Sequence, residues 1–574
     1  MLNYYYQQQL SHLRNRAAEF ARAHPAIAPL LAEASEDPDV ERLLEGTAFL
    51  CGILQQKIDD DFPEYIHGLT EIIFPHLLRP IPAATIVAFT PKESLLEALD
   101  VKAGTALAST PIDGTRCEFR TCMPVRLLPL QVTEVSSKQI STKEEIATVN
   151  FTLSGISLSE WKEDSLRFYI AGDFSLTSDI FMRFRRNLQR IRVNTPSGKS
   201  ISLNPKHLRT PGFDCTSSLC PISNQTFRGY SLIIDYFIFP EKLLFLELAG
   251  LSVLGSMGEE NEFTIEFVFS TTRTPLEFRK EYITLFATPA VNLFSHDADP
   301  VQVNHNKEQL PVYPSGINKE HYTIFTIDSI TGLKQGMADR KTYLPFNRFW
   351  FRQHEETGVF QVHHTQRADD RHEVEISLGY TATQELQKEV LSIQLTCTNG
   401  HLPERLRAGD ISTSTSSSPE LATFRNIFTP TPFIDIVTGK NELWRLLSHV
   451  SLNLLSINNA ESLCEFLRMY TFESHRSDHR ATANRRRIEA VEAFSTEPAD
   501  RIIKGILMRG IQINLTAADR NFASQGDLYL FGSVLDTFLS MYASMNSFTQ
   551  FALDNSQTGE RILWPPRLGE KPLL

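Results

Sequence analysis

The sequence has no apolar run long enough to cross a bilayer. A membrane-spanning helix needs about 20 mostly apolar residues. The most hydrophobic segment, 231–251, is interrupted by Asp235, Pro240, Glu241, Lys242 and Glu247. The first residues, MLNYYYQQQLSHLRNR, also lack the apolar core of a secretory signal peptide. We therefore expect a cytoplasmic protein.

The sequence also lacks an excess of positive charge. Its 56 Lys and Arg residues are outnumbered by 68 Asp and Glu residues, which gives a net charge of −12. Nucleic acids and anionic membranes generally bind basic surfaces, so we expect no nucleic-acid partner. With 574 residues, 42% of them hydrophobic and 22% charged, the chain is long enough for about three to four globular domains.

Cysteine is scarce and its spacing is not that of a metal site. Two pairs, Cys117 with Cys122 and Cys215 with Cys220, have four-residue gaps, and the other three cysteines are isolated. Zinc sites usually have shorter gaps and matching histidines. We therefore predict reduced, mostly buried thiols and no metal or other cofactor.

The N-terminal segment predicts amphipathic helices. Tyr6, Leu10, Leu13, Ala17 and Phe20 are spaced four, three, four and three residues apart, which places them along one seam of a helix. A second helix is predicted to begin with Asp37 as its cap and Pro38 in its first turn. Its apolar face contains Val40, Leu43, Leu44, Leu50, Leu54 and Ile58. A third helix is predicted from about Phe62, and Pro75 is expected to kink or end it.

Such helices can fold on their own core or pack against another chain. Free N-terminal helices of this kind are suitable partners in a helix bundle. We expect Tyr6, Leu10, Leu13 and Phe20 to contact partner proteins.

The apolar periodicity changes from helical to alternating after Pro82. Alternating phenylalanines over 262–271 predict a half-buried strand. Further strands are predicted over 321–330, 359–364, 372–379 and 390–397. Helices are predicted over 178–192, 444–455 and 535–551, and STSTSSS at 412–418 predicts a linker or loop.

This order of elements predicts an α+β, multidomain fold. We expect an N-terminal helical bundle segment for assembly (1–84), two β-rich middle domains (85–287 and 288–425) and a mixed α/β C-terminal domain (426–574).

A second candidate for partner contacts lies in the C-terminal part. Leu535, Phe538, Leu539, Tyr542 and Met545 fall on one face of the predicted helix. The face is either the core of its own domain or a contact surface. Trp564 follows in an extended tail that can be ordered only by docking, on its own domain or on a neighbour. We take Leu535, Phe538, Tyr542 and Trp564 as interaction candidates.

Several polar clusters could suggest catalysis. His363, His364, Asp369, Asp370, His372 and Glu373 could form a metal site, but strand alternation sends adjacent histidines to opposite faces, so a hairpin with a charged tip is favoured. His296, Asp297 and Asp299 are attributed to a loop, and Asp59–Asp61 to a solvated helix end. The arginines of 183–192 and 485–487 are expected to form salt bridges with carboxylates of this chain or a partner.

Several long blocks of the sequence are distinctive. They are the whole N-terminal string from His24 to Pro82, then TPAVNLFSHDADPVQVNHNKEQLPVYP, HYTIFTIDSITGLKQG, LTCTNGHLPERLRAGD, WRLLSHVSLNLLSI, RGIQINL and the C-terminal block that ends in WPPRLGEKPLL. These blocks resemble the TssF family (also called ImpG or VasA) of the type VI secretion baseplate. The blocks occur in the family's order over nearly the whole chain, and the stretch 92–261 resembles the family least.

The resemblance implies a structural protein and no enzyme. Members of this family assemble with TssG, TssK and TssE into baseplate wedges that contain two TssF copies. The wedges surround the VgrG spike hub, dock on the membrane complex and initiate the contractile sheath. The resemblance therefore implies these partners, an indirect contact with the membrane and no small-molecule substrate. Two alternatives are a wedge protein of a phage tail or another contractile injection machine, and a soluble metal-dependent hydrolase that uses the cluster 363–373.

Overall fold

The structure, a computed structural model, has the mixed α+β architecture predicted from the sequence. It describes residues 2–23, 38–222, 226–272, 275, 277–304, 306–334, 340–346, 358–366, 372–379, 388–436, 459–472, 479–503 and 505–569.

The described helices lie at both ends of the chain and at two points in its first half. They are α1 (Leu2–Ala23), α2 (Pro38–Ile73), α3 (Phe174–Arg186), α4 (Gly229–Ile238), α5 (Ala460–Arg468), α6 (His479–Glu489) and α7 (Gln525–Ser540). Side chains cap several of them: Asp173 accepts a hydrogen bond from the backbone N–H of Ser175 at the start of α3, and Ser524 accepts one from the backbone N–H of Asp527 at the start of α7.

The strands occupy the middle of the chain and its last third. They are β1 (Ala84–Pro91), β2 (Leu99–Val101), β3 (Ala106–Ile112), β4 (Thr115–Thr121), β5 (Val125–Leu127), β6 (Leu130–Gln139), β7 (Glu144–Leu153), β8 (Ser165–Ile170), β9 (Leu188–Asn194), β10 (Ser200–Leu203), β11 (Leu208–Arg209), β12 (Phe245–Ala249), β13 (Glu262–Ser270), β14 (Ile283–Leu285), β15 (Ala287–Val291), β16 (Phe294–Asp297), β17 (Val301–Val303), β18 (Leu310–Val312), β19 (Thr323–Lys334), β20 (Arg340–Pro345), β21 (Gly358–Gln366), β22 (His372–Gly379), β23 (Glu389–Thr398), β24 (Ala422–Asn426), β25 (Val491–Ile503), β26 (Ile506–Ala517), β27 (Phe548–Asn555), β28 (Arg561–Leu563) and β29 (Arg567–Leu568).

Three sheets, built from strands of 84–291 together with β24, share one continuous hydrophobic core with the C-terminal helices. In the described residues their strand orders are β24-β1-β15-β4-β3, β10-β9-β13-β7-β6 and β11-β12-β8-β14. β1 is a central strand between β15 and β24, and its first six residues are buried. This burial explains why ATIVAF is a nearly continuous apolar run.

A separate sheet with its own core is formed by residues 294–398. Its order is β16-β23-β19-β20-β21-β22-β18, with β17 also paired to β23. The apolar face of this sheet packs as an independent cluster that includes Ile330, Tyr343, Phe360, Ile376 and Ile393. All five strands that the sequence predicts in this region and over 262–271 are present.

The C-terminal sheet has the order β25-β26-β27-β28, with β29 also on β27. β26 and β27 are parallel, and α7 connects them. Ile513, Leu515, Phe551 and Leu553 alternate on the face that packs in the core. This crossover gives the mixed α/β character expected for the end of the chain.

Several predicted boundaries differ from the observed ones. The predicted third helix is a continuation of α2, which runs without a break to Ile73 and ends before Pro75. The predicted helix 178–192 ends at Arg186, because residues 188–194 pair with β13 as β9. The predicted helix 535–551 ends at Ser540, because residues 548–555 pair with β26 as β27. Asp37 and the predicted helix 444–455 lie outside the described residues.

In the β-rich middle, strands that lie far apart in the sequence pair with each other. β24, at 422–426, lies beside β1, at 84–91, so one sheet joins strands from both sides of the predicted boundary at 287/288. The segment 412–418 is a loop held on β3: Thr413 bridges Ala108, and the hydroxyls of Thr415 and Ser418 donate hydrogen bonds to the carbonyl of Ala106.

Candidate assembly surfaces

The two N-terminal helices form an antiparallel hairpin, which we call the helical arm (α1 and α2). The helices are in close contact at Gly52, where an added Cβ would lie 3.1 Å from the backbone nitrogen of Tyr6. Ala48, one turn earlier, is fully buried. An ion pair between Arg14 and Glu41 also joins the helices. Small residues on α2 therefore allow the close contact between the two helices.

The opposite side of α2 carries an exposed apolar surface. Leu43, Leu50 and Leu54 are 72%, 62% and 61% exposed, and Phe49 and Ile53 lie beside them. We call these five residues the α2 apolar face. Contiguous exposed apolar surface on a folded chain commonly marks a site of contact with another protein. The arm therefore presents a surface that its own fold leaves uncovered.

Four of the five residues in the predicted seam of α1 are half-buried. Tyr6, Leu10, Leu13 and Ala17 are half-buried, and α1 packs against α2. Phe20 is the exposed member of the seam. The residues that the sequence singled out on α1 therefore differ in exposure: Phe20 is accessible, and the other four are half-buried, with Tyr6 beside Gly52 of α2.

A buried aromatic cluster anchors the arm to the rest of the molecule. The segment Pro75–Leu78, directly after α2, is fully buried. The ring of His76 stacks on Tyr230 at 5.2 Å and on Tyr470 at 6.1 Å between centroids. Burial, with a smaller contribution from Arg79, lowers the pKa of His76 to about 3. A neutral imidazole is thus part of this apolar anchor.

The C-terminal candidates belong to the same core. Leu535 and Phe538 are fully buried on α7, which is buried on all sides. Phe538 stacks on Phe466 of α5, and Tyr542, which is half-buried, contacts Phe227 at 3.9 Å between ring centroids. These side chains pack inside this chain, so their apolar character is explained by its own core. Met545 remains exposed.

The C-terminal tail docks on its own domain. Trp564 is buried and stacks on Tyr529 of α7 at 5.3 Å. Arg567 donates a hydrogen bond of 2.6 Å from its Nε to Asp536 Oδ2. Burial raises the pKa of Asp536 to about 6, although Arg567 acts in the opposite direction. The tail was expected to dock either on its own domain or on a neighbour. Its described part, up to residue 569, docks on its own domain.

The histidine-rich candidates are spread over ordinary strand positions. His363 and His364 are adjacent on β21, and β21 and β22 form the predicted hairpin. His363 is hydrogen-bonded to Ser377 at 2.8 Å, and Glu373 accepts a hydrogen bond from Tyr313. Among the described residues no three His, Cys, Asp or Glu side chains are grouped as a metal site. Asp369 and Asp370, and the side chains of Asp59–Asp61, lie outside the described part of the chain.

The second group of polar candidates is His296, Asp297 and Asp299. Its first two residues lie in a strand, where a loop was expected. His296 lies in β16 and is hydrogen-bonded to the carbonyl of Ser315 at 2.8 Å. Asp297 accepts from Gln394, and Asp299 pairs with Lys319. Each polar group of this cluster therefore has a partner within the chain.

The arginine-rich segments form salt bridges within the chain, as expected. Arg183, Arg186, Arg190 and Arg192 pair with Glu145, Glu560, Glu144 and Glu266 at 3.6, 2.7, 2.7 and 3.8 Å. In the second segment, Arg487 forms a buried pair with Asp527 at 2.9 Å. These cations are largely committed to internal contacts.

The thiols are free in all seven cysteines. Burial raises the pKa of several of them, to about 11 for Cys117 and to about 12 for Cys122 and Cys397. Since the thiolate is the reactive form, these side chains act as buried apolar groups. This agrees with the reduced thiols predicted from the sequence.

Sequence reasoning missed one exposed feature, the end of the β25–β26 hairpin. Ile502, Ile506 and Leu507 there are among the most exposed large apolar side chains. The signal was present as IIKGILM, two aliphatic runs around a Lys-Gly turn.

The fold defines a multidomain α+β protein with a large shared core and a helical arm on which an apolar surface is exposed. None of the helices in the described part of the chain is both long and apolar enough to span a membrane. A model of the family "Type VI secretion system, TssF" matches residues 1–571. The chain belongs to the TssF family of type VI secretion system proteins.

Known relatives support this assignment over the full length. The type VI secretion system component TssF1 of Pseudomonas aeruginosa is 28% identical, across 99% of this chain and 99% of its own length. A similar fold also occurs in the solved TssK-TssF-TssG baseplate subcomplex, with 29% identity, a TM-score of 0.79 and coverage of 93% of this chain and 99% of that chain. A chain of a type VI secretion baseplate complex matches with 25% identity and a TM-score of 0.57 over all of both chains.

Proposed function

We propose that this chain is a structural subunit of a cytoplasmic type VI secretion baseplate wedge and that its helical arm binds the partner subunits. The family and the two baseplate structures that contain similar chains support this role. The observation that carries the proposal is the α2 apolar face, because five large apolar side chains along one helix are left uncovered by the chain itself.

The size of this face is sufficient for a stable helix–helix contact. Full burial of one large aliphatic or aromatic side chain contributes about 1.5–3 kcal/mol. Even after the losses in translational and side-chain freedom on association, several such side chains can support a stable bundle. An amphipathic helix with anchors one and two turns apart suits helix-in-groove or bundle packing.

The partners follow from the relatives. TssK and TssG accompany the TssF chain of the solved subcomplex, and we propose TssG- and TssK-like proteins as the direct partners of this chain. We further propose a second copy of this chain in each wedge, with TssE, the VgrG hub and, indirectly, the membrane complex as wider partners. The described fold supports this role through its shared core, in which several sheets pack together with the C-terminal helices.

The test is co-purification of a charged variant of the arm. Leu50→Glu with Leu54→Glu should abolish co-purification with a TssG-like partner, because each substitution places a carboxylate in the proposed contact. The matched control is Ile140→Glu with Ile317→Glu, since both residues are exposed and lie outside the arm. Circular dichroism melting should be unchanged for both variants. Wild-type stoichiometry in the arm variant would contradict the proposal.

A further inference from the structure

The exposed side of α2 has the spacing of a coiled-coil seam. Four of its residues, which we call the α2 seam, follow one another at steps of three, four and three positions: Leu43, Gly46, Leu50 and Ile53. All four are exposed. This heptad spacing keeps a stripe of one helix in contact with a second helix along its length. A strand or an irregular loop would not require this period, so the spacing indicates that a helix covers the seam.

Gly46 leaves an open notch in the middle of the seam. The residues three and four positions before and after it surround the notch: Arg42, Leu43, Phe49 and Leu50. A Cβ added at Gly46 would meet no atom within 4 Å among the described residues. In a coiled coil, each seam position normally carries a large apolar side chain that fills a hole in the facing helix. At this point α2 provides no such side chain, so the facing helix must fill the space.

The chain itself gives no reason for a glycine at this position. Gly46 is not among the residues with a positive φ, so its backbone conformation is open to any residue. A glycine inside a helix is less favourable than alanine by about 0.5–1 kcal/mol. No contact within the described part of the chain offsets this cost. Close approach of another chain would offset it, because only glycine leaves room there for a side chain of that chain.

The opposite side of α2 shows what a small residue permits on this helix. A Cβ added at Gly52 would lie 3.1 Å from the backbone nitrogen of Tyr6, so α1 packs there at backbone distance. Six residue steps separate Gly46 from Gly52, which turns the side-chain direction by about 240°. α1 therefore leaves the notch free, and a further helix can pack on α2 without displacing α1.

We propose that an amphipathic helix of a partner subunit packs along the α2 seam and inserts one large apolar side chain at Gly46. The ten residue steps of the seam span about 15 Å, so the partner segment contributes about three helical turns. This helix and the two helices of the arm form a three-helix bundle. The inference rests on the proposed function, because it names the kind of partner segment that covers the α2 apolar face.

Gly46 thereby selects the partner helix. A large aliphatic or aromatic side chain fills the notch, whereas a small side chain at the same point of another helix leaves a cavity. Such a cavity in an apolar contact lowers stability in proportion to its volume. The α2 apolar face supplies the buried area, and the notch determines which helix fits it and in which register.

The test is the affinity of Gly46 variants of the full chain for a TssG-like partner. Gly46→Leu should raise the Kd by about a hundredfold and Gly46→Ala by about threefold, because the added side chain occupies the space of the inserted one. Glu45→Leu is the matched control, since it places the same side chain on the exposed surface of α2 about 100° away from Gly46. The control should bind as wild type.

Thermal unfolding of the free chain separates an effect on binding from an effect on folding. Gly46→Leu should melt at the wild-type temperature or above it, because the site is open and leucine favours a helix more than glycine does. The expected result is therefore loss of binding in a variant that is at least as stable as wild type.

Binding of Gly46→Leu with the wild-type affinity or a higher one would overturn the inference, because the added apolar surface would then only extend the face. Leu50→Glu with Leu54→Glu keeps this result apart from the proposed function. Loss of binding in that pair alone means that the face binds the partner without an inserted side chain. If neither change weakens binding, both the inference and the proposed function are wrong. If Gly46→Leu abolishes only self-association of the free chain, the seam binds a second copy, and its assignment to a partner subunit is wrong.

Discussion

At the residue scale, the burial of Asp536 beside Arg567 makes the stability of the fold sensitive to pH. Asp536 is almost completely buried on α7, and its pKa is raised from 3.8 to about 6, mainly because burial disfavours the charged form. The Arg567 guanidinium compensates only in part. Between about pH 4 and pH 6 the unfolded chain has lost this proton while the folded chain retains it. Folding is therefore favoured by the lower pH at this residue.

We predict that Asp536→Asn removes this pH dependence. The free energy of unfolding of the wild type, relative to the variant, should fall by about 2–3 kcal/mol between pH 4 and pH 7, since one pKa unit corresponds to about 1.4 kcal/mol. Urea unfolding at several pH values measures this difference. A difference that is independent of pH would show that the carboxyl titrates at the same pH in the folded and unfolded chains.

At the element scale, two helical glycines have opposite roles. Gly526 lies in the first turn of α7 where it crosses α3, and an added Cβ would lie 2.2 Å from the carbonyl carbon of Ser178. Gly46 lies within α2, exposed, with no atom within 4 Å of the corresponding position. The same substitution therefore tests close packing at one site and helix propensity at the other.

We predict that Gly526→Ala strongly destabilises the chain and that Gly46→Ala stabilises the arm. Alanine at 526 must separate α3 from α7, because backbone atoms cannot rotate away as a flexible side chain can. Alanine at 46 should add about 0.5–1 kcal/mol to helix stability. Thermal melting and hydrogen exchange of α2 amides measure the two effects. A melting temperature for Gly526→Ala equal to wild type would contradict the packing described for α3 and α7.

At the scale of the whole molecule, the arm and the body are joined by a buried segment. Leu77, Leu78 and Ile81 are buried in the body, and Ile81 forms a bridge with Ile434. The sequence placed the end of the N-terminal region at residue 84, within this buried stretch. The fold thus places the last residues of the predicted arm region in the body.

We predict that truncation before Phe74 leaves a folded body, whereas truncation before Thr85 does not. The first variant removes the arm and retains the segment that fills the anchor, including His76. The second leaves apolar surface of Tyr230, Tyr470 and the neighbouring strands uncovered. Soluble yield and melting temperature distinguish the two. If both truncated chains fold equally well, the segment 74–84 contributes little to the body.

The sequence predicted a helix or strand well where the period of its apolar side chains matches the observed backbone hydrogen bonding. The alternating phenylalanines of β13, the β21–β22 hairpin and the helical seam of α1 were identified because each pattern repeats over one whole element. The arginine pairs could be expected from charge balance. The ends of α3 and α7 could not be predicted, because strands β9 and β27 are ordered by pairing with distant segments.

The sequence by itself determined the family, the mixed α+β class and the amphipathic nature of the arm, since these depend on ordered blocks and local period. The tertiary structure alone decided which apolar residues remain accessible. Leu535 and Phe538 have the same helical spacing as a contact face, yet α3, α4, α5 and the C-terminal sheet surround α7. Leu50 and Leu54 remain exposed, because α1 covers the opposite side of α2. Exposure depends on long-range packing, and a one-dimensional pattern records only which side chains are apolar.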